Sequence, residues 1–392
     1  FVFWWSGSMK KLFISVIILL LPIYSHQVDA RDSFIAVNDN VSASIDRGLK
    51  WLVSKQRADG FYDCGIGNRV GYGYDVHIVD QHVGVTAIAG MAFLANGHVP
   101  GIGPYGDVVE KIVNAVTSAG GPNGFIITNN SRMYSHTFAT LFLAETYGTT
   151  GNENVRKVLK KSIKLLIDHQ NDDGGWRYSP EAADSDLSVV VCVVQALRAA
   201  NNVGIHVPKG VIDKALKYIR SLVVQNPKKH LPILHGDPYP PIAKKGGFHY
   251  QNSERVTFAI CAAGVTALNG TGIYEGRDLE AGLKFLERRY IENLHFKKLP
   301  TLMELPAVEG YSTNFNGRIT KQRRRLEPKV QGFQYFYGHY YAVQAFYQIG
   351  GYRWERWFGK LRNDFLRIQF KDGHWADEIG PVYATAMATL IL

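Results

Sequence analysis

The sequence predicts an all-α protein, an (α/α)6 toroid in which six helical hairpins close into a ring of inner helices wrapped by a ring of outer ones. Three observations carry this prediction. A short turn pattern (Gln, three residues, Gly, one residue, aromatic) recurs as Gln56, Gly60 and Tyr62, as Gln170, Gly174 and Trp176, and as Gln369, Gly373 and Trp375. Each copy closes a segment with apolar residues at i, i+3, i+4 and i+7 and charged residues between them. Each is followed by a segment rich in small residues and apolar on nearly all sides. Helices of the second kind must be enclosed, and a ring of hairpins encloses them. An open solenoid is the structural alternative, but its repeats would be shorter and more even.

In chain order, Met9-Lys10-Lys11, the apolar run Leu12–Leu21 and Val28-Asp29-Ala30 read as a secretory leader cleaved near Ala30. The run is too short for a spanning helix. Residues 1–8 precede the Met and are expected to be untranslated, leaving 31–392 as one exported domain, periplasmic or secreted. Amphipathic outer helices are expected over Val41–Gln56, Gly106–Ser118, Glu153–Gln170, Pro208–Gln225, Gly276–Tyr290 and Trp354–Gln369. Inner helices are expected to begin near Asp80, Met133, Asp186, Glu254, Tyr337 and Val382. The turn glycine supplies the positive φ that ends a helix, and the Gln amide can bridge exposed main-chain groups at neighbouring helix ends. Two further copies are altered: Ser118 stands in for Gln before Gly124-Phe125, and Gln225 is separated from Gly247-Phe248 by an insertion.

Of the 392 residues, 46% are hydrophobic and 20% charged, which excludes a disordered, collagen-like or coiled-coil chain. Three cysteines (Cys64, Cys192 and Cys261) are too few for a disulfide framework and too far apart for a metal clip. The net charge of +10 favours anionic partners. The Gly-rich loop Gly71–His77 lacks the Lys-Ser/Thr ending of a phosphate cradle.

The Gln-x3-Gly-x-Trp turn resembles the repeat of squalene cyclases and of protein prenyltransferase β subunits, the terpenoid-cyclase α/α toroid superfamily, over 41–392. Met133–Glu145 with Gln170–Tyr178, and Tyr335–Gln344, resemble the exported, bacterial prenyltransferase/squalene-oxidase-repeat proteins of planctomycetes and their relatives. Squalene-type cyclases protonate an alkene with an Asp-x-Asp-Asp-Thr-Ala-like acid. The resemblance therefore implies Asp184 and Asp186 as the catalytic candidates, with Leu187 in the place of the second adjacent carboxylate. Asp186 and Ser188 equally suit a helix start, where they would cap free N–H groups. The Asp, Cys and His zinc set of prenyl transfer has no counterpart in the sequence, nor has the Cys-Gly-Glu-Gln thioester of complement-type toroids.

His82, His136 and His339 stand near the starts of three inner helices, with Val190, Cys261 and Tyr383 at matching places in the others. One layer around the axis is expected to bring these histidines and Tyr383 to a central cavity, with Asp80 and Glu254 close by. Such a layer suits a metal or an acid–base set; no other cofactor is expected. Repetition of a packing residue is the structural alternative. Two insertions, Asn226–Lys245 and Phe296–Gln334, break the rhythm, and the second carries the basic run Lys321–Arg325, suited to an anionic surface. No aromatics interleave it, so nucleic acid is not expected. Three functions follow: a toroid holding a hydrophobic small molecule, lipid or polysaccharide without an assigned reaction, a terpenoid cyclase with a displaced acid, or a carbohydrate-active six-hairpin enzyme. The last would place two carboxylates across a groove.

Overall fold

A computed structural model describes residues 39–70, 73–129, 131–225, 245–251, 256–293, 308–313, 319–324, 334–377 and 379–392. The leader and residues 226–244 of the first insertion lie outside them. Among the described residues twelve helices alternate between the two expected kinds. The outer helices are α1 (Asp39–Lys55), α3 (Gly106–Ser118), α5 (Glu153–Asp168), α7 (Lys209–Ser221), α9 (Arg277–Asn293) and α11 (Gly351–Ile368). The inner ones are α2 (Val83–Ala95), α4 (Met133–Thr150), α6 (Leu187–Asn202), α8 (Phe258–Gly270), α10 (Tyr335–Ile349) and α12 (Pro381–Ile391).

Burial separates the two kinds as the sequence pattern demands. In α5 one stripe (Val155, Leu159, Ile163, Leu165, Leu166) is buried, and Lys160, Lys161 and Lys164 face solvent. In α8 every residue from Ala259 to Asn269 is buried. An all-round apolar helix is stable only inside a protein shell. The inner helices pack in the order α2, α4, α6, α8, α10, α12, and α12 returns to α2. On the outside, α11 reaches α1. The six-hairpin ring is therefore closed, as expected.

The repeated turn is the joint between hairpins. Gln170 Nε2 donates to the Gly174 carbonyl in its own turn (2.8 Å) and to the Val211 carbonyl in the first turn of α7 (2.9 Å). Gln56 does the same toward Gly60 (3.4 Å) and Val108 of α3 (3.0 Å). Gln369 closes the ring, donating to Gly373 (2.8 Å) and to Ser44 of α1 (2.9 Å) while its oxygen accepts from the Ser44 hydroxyl (2.7 Å) and Arg47 (2.6 Å). The buried Trp176 and Trp375 lie over these joints and donate their indole N–H to the Leu166 and Phe365 carbonyls at 2.7 and 2.9 Å. Gly174 has φ +95°, and a Cβ there would stand 2.3 Å from the Lys214 carbonyl oxygen of the next outer helix. Gly60, Gly124, Gly246 and Gly373 meet the following outer helix in the same way.

Three details differ from the sequence expectation. In the fourth repeat the turn glycine is Gly246 (φ +83°), not Gly247, so Gly246-Gly-Phe248 matches Gly174-Gly-Trp176. Gln225 is exposed there, and main-chain pairs close the turn without it: Val224 N–H to Gly247 at 2.9 Å and His249 N–H to Leu222 at 2.9 Å. The Gly-rich segment read as a loop forms an antiparallel hairpin, β1 (Cys64–Val70) with β2 (Gly73–Val79). The second insertion holds another, β3 (Val308–Thr313) with β4 (Ile319–Arg324), so Lys321 to Arg324 lie on a strand and Arg325 falls outside the described residues. Both hairpins sit in outer-to-inner connections, and β2 touches β3.

Replacing Gly174 by Ala combines a left-handed backbone with a main-chain clash and is expected to remove about 3 kcal/mol of stability. Gln369→Ala strands two carbonyls at the ring closure and is expected to remove about 2 kcal/mol. Guanidinium unfolding of both variants beside the parent checks this; a loss below half a kcal/mol in either would mean that the joint does not hold the ring.

Candidate functional site

All six inner helices start on one rim, where successive turns cap one another. The residue four past a turn glycine satisfies the first N–H of the preceding inner helix. Thr128 Oγ1 accepts from Val83 N–H (3.0 Å), the Tyr178 carbonyl from Met133 N–H (2.9 Å) and the Tyr250 carbonyl from Leu187 N–H (3.0 Å). This geometry carries Tyr178 and Tyr250 to the mouth of the inner ring, where Tyr134 of α4 and Tyr337 of α10 also stand. All four rings are half-buried.

Asp186 lies at the base of this group. It is the N-cap of α6, fully buried, and its Oδ1 accepts from Val189 N–H (3.1 Å) and from the Ser188 hydroxyl. Its Oδ2 faces Arg177 Nε at 3.1 Å. Arg177 also pairs with the exposed Asp184, and its guanidinium lies 4.9 Å over the Tyr178 ring. The Tyr178 and Tyr250 hydroxyls are hydrogen-bonded to each other. Tyr134 OH meets Ser188 Oγ at 2.5 Å, and Tyr337 OH donates to the Ser188 carbonyl at 2.9 Å. Burial pushes the Asp186 carboxyl above its ordinary range; the Ser188 hydroxyl, the Val189 N–H and the Arg177 charge pull the other way. Gln251 completes the rim, donating to Asp184 at 3.2 Å and to the Ser185 carbonyl at 3.0 Å.

The two aspartates are thus gathered on one arginine rather than set across a groove. The capping expectation for Asp186 is met, since its carboxylate caps the helix while fully buried. Deeper along the axis the ring is filled: Tyr341, Tyr340 and Cys192 are buried, with Cys192 Sγ 3.0 Å from Tyr341 OH.

The histidines do not form the expected layer. His82 is the N-cap of α2, its Nδ1 accepting from Val85 N–H at 3.2 Å. His136 lies one helical turn further in and faces outward: its Nδ1 accepts from Ile126 N–H (3.1 Å) and its other side meets the Ser162 main chain of α5. His339 packs among Phe258, Tyr335, Trp357 and Phe365, between α10 and the outer helix α11. The physical reason is register. The position whose side chain meets the preceding turn holds Thr86, His136, Cys261 and Thr385, which accept from the N–H groups of Tyr62, Ile126, Phe248 and Trp375. His82 and Tyr383 fall outside that series. Tyr383 is buried in α12, where burial first and the Asp377 charge second raise its phenol. Asp80 is exposed, and its carbonyl accepts from the Asn129 amide. Glu254 lies outside the described residues. Among the described residues no three His, Cys, Asp or Glu side chains gather in a metal-binding group.

Comparison with known proteins reaches the fold. No protein-family model matches this chain, and no curated protein matches it in sequence. Solved structures do match. An inactive variant of an α-1,6-mannanase from Salegentibacter sp., in complex with α-1,6-mannotriose, aligns over 89% of this chain and 97% of its own with TM-score 0.56 and 9% identity. An α-amylase from Clostridium perfringens aligns over 89% and 96% with TM-score 0.52 and 13% identity. A type II terpene cyclase from Scytonema, in complex with merosterolic acid A, aligns over 90% and 96% with TM-score 0.51 and 11% identity. The chain is an α/α toroid. At these identities the likeness is one of architecture, and architecture does not choose a reaction.

Arg177, Tyr134, Tyr178, Tyr250 and Tyr337 were not singled out by sequence reasoning. The signal for two of them was present: Tyr178 and Tyr250 each stand four residues past a turn glycine, Gly174 and Gly246.

Burial lowers His136 and His339 to about 3 and His82 to about 4, so the folded chain holds them neutral where the unfolded chain takes up protons. Their contribution to stability is complete above the unfolded value of 6.5 and is lost as the pH falls toward the folded values. Stability is expected to fall below pH 6.5, and His136→Gln is expected to flatten that slope by about 1.4 kcal/mol per pH unit, one proton's worth. Denaturation series at pH 7.5, 6 and 5 test this; an unchanged slope would show that His136 is charged in the folded protein.

Proposed function

We propose that the protein is an exported binding toroid whose ligand is a polysaccharide, taken at the mouth of the inner ring around Arg177. The observation that carries this reading is the cluster itself. A guanidinium is fixed between Asp184 and Asp186, beside Tyr134, Tyr178, Tyr250 and Tyr337, whose rings are half-buried and whose hydroxyls lie in one polar network. Sugars offer alternating hydroxyl donors and acceptors with apolar ring faces between them. Carboxylates and an arginine answer the first, and tyrosine faces the second. The N-terminal leader supports an extracytoplasmic place for such a polymer, and the basic strand Lys321–Arg324 on the same rim supports an acidic one. Among toroids of this architecture are a mannanase variant bound to mannotriose and an amylase. No catalytic step is assigned, because both carboxylates lie against one arginine on the same side of the mouth.

A second reading keeps Asp186 as the acid of a terpenoid cyclase, and its buried carboxyl, raised above the ordinary range, favours it. Against this, the ring below Asp186 is filled by the buried Tyr340, Tyr341 and Cys192, and the cavity on the axis, at the far rim, has a volume of about 100 Å³. Pockets that hold drug-sized molecules run to roughly 300–1,000 Å³, so a polyprenyl chain needs more room than this one offers.

Affinity electrophoresis through gels containing mannan, starch, alginate or pectin separates the readings. At least one polysaccharide is expected to retard the protein, and Arg177→Ala and Tyr178→Ala to weaken that retardation by about tenfold or more. If none of the four retards it, while a polyprenyl lipid co-purifies and is lost in Asp186→Asn, the glycan reading fails in favour of the cyclase one.

A further inference from the structure

The axial cavity of about 100 Å³ lies at the opposite rim, where the inner helices end. Five inner helices line it: α2 through Met91, α4 through Leu141 and Glu145, and α6, α8 and α10 through residues that include Gln195, Asn269 and Tyr340. It runs from the buried Glu145 to the exposed Asn202. No part of the Arg177 cluster belongs to it.

Its chemistry is that of a hydrogen-bond acceptor. Glu145 is 4% exposed, and among the described residues no side chain donates to its carboxylate. Burial alone raises that carboxyl to about 8. Asn269 is 7% exposed, and its Oδ1 has no hydrogen-bond partner among the described residues. Gln195 is the third acceptor, and its orientation follows from its neighbour. Gln344 Nε2 donates to the Tyr340 carbonyl (2.9 Å), so Gln344 turns its oxygen toward Gln195, which must offer Nε2 (2.5 Å). That leaves Gln195 Oε1 buried without a partner. Three acceptors on α4, α6 and α8, one of them a carboxyl, thus line a space large enough for a few heavy atoms at about 30 Å³ per water-sized volume. Buried polar groups are rarely left unsatisfied, and each such exception asks for an explanation.

The field at this rim has the same sense. The inner helices present their C-terminal ends here, which favours positive charge. The cation already present, Arg198, is turned to the ends of α8: its Nη1 meets the Asn269 and Gly270 carbonyls at 3.4 and 3.3 Å, and its guanidinium lies 5.7 Å from the Tyr274 ring. Tyr340, also in the lining, offers an aromatic ring.

We propose that this cavity is a binding site for the ammonium group of a small primary amine, which donates its three N–H groups to Glu145, Gln195 Oε1 and Asn269 Oδ1. A primary ammonium carries three donors and a charge in so small a volume. The positive charge of the bound ammonium draws the Glu145 carboxyl back to its ionised form, which supplies the counter-charge, and the two amides fix the direction of approach.

The test is calorimetric titration of the full chain with ethylammonium chloride at constant ionic strength, beside tetramethylammonium, which has the charge without the donors, and ethanol, which has neither the charge nor three donors. Saturable heat is expected with ethylammonium, and binding at least tenfold weaker with the other two. Glu145→Gln keeps the side-chain volume and is expected to weaken ethylammonium binding at least tenfold in a protein whose circular dichroism is unchanged. Gln195→Met, which removes one acceptor of the three, is expected to weaken it severalfold. The proposal is overturned if ethylammonium gives no saturable heat, as for a cavity that takes only water. Equal binding of tetramethylammonium, or an unchanged affinity in folded Glu145→Gln, would overturn it as well.

Discussion

One kind of carboxamide bridge, made by Gln56, Gln170 and Gln369, joins neighbouring hairpins at three places around the ring. A Gln at the end of an outer helix donates two hydrogen bonds from one nitrogen, to its own turn and to the first turn of the next outer helix. Each hairpin alone leaves an apolar inner helix in water, and the hydrophobic gain is realised only when neighbours enclose it. The bridge decides how neighbours meet: it fixes the distance between successive outer helices, and the turn glycine lets their backbones touch. Gln369 applies it between the last outer helix and the first, which turns a stack into a closed ring.

That bridge was legible because it is local and repeated. Gln170, Gly174 and Trp176 lie within seven residues, so their spacing could be recognised wherever it recurred. Gly246 was harder. Where the Gln drops out, main-chain pairs close the turn, and a glycine pair such as Gly246-Gly247 gives no sign of which member carries the positive φ until Phe248 is seen to be the buried ring. The β1–β2 hairpin was missed for a related reason, since its glycines read equally as loop and as strand ends.

The site was harder to read than the fold. His82, His136 and His339 look equivalent along the chain, yet His82 stands one helical turn earlier in its helix than His136 does. That displacement turns one ring to a cap and the other toward an outer helix. Asp186 was visible because Asp before an apolar run marks a helix start. Its partner Arg177 was not, since nothing local says that a residue just past the Trp176 turn folds back over the following helix start. Glu145 was invisible for the opposite reason. In sequence it is one acidic residue on an apolar helix, and only the convergence of five helices shows that it faces a space.

The connections between helices are unequal, and this gives the ring two faces with different histories open to them. Outer-to-inner segments such as 56–82 and 169–186 are long, and both β-hairpins grow from them; inner-to-outer links shrink to Gly151-Asn152 between α4 and α5 and to Gly350 alone between α10 and α11. New loops therefore accumulate on the Arg177 face, where added length disturbs no helix. The Glu145 face has almost no chain to spare. Whatever specificity arises there has to be written in helix side chains, one substitution at a time, and changing it means repacking the ring itself.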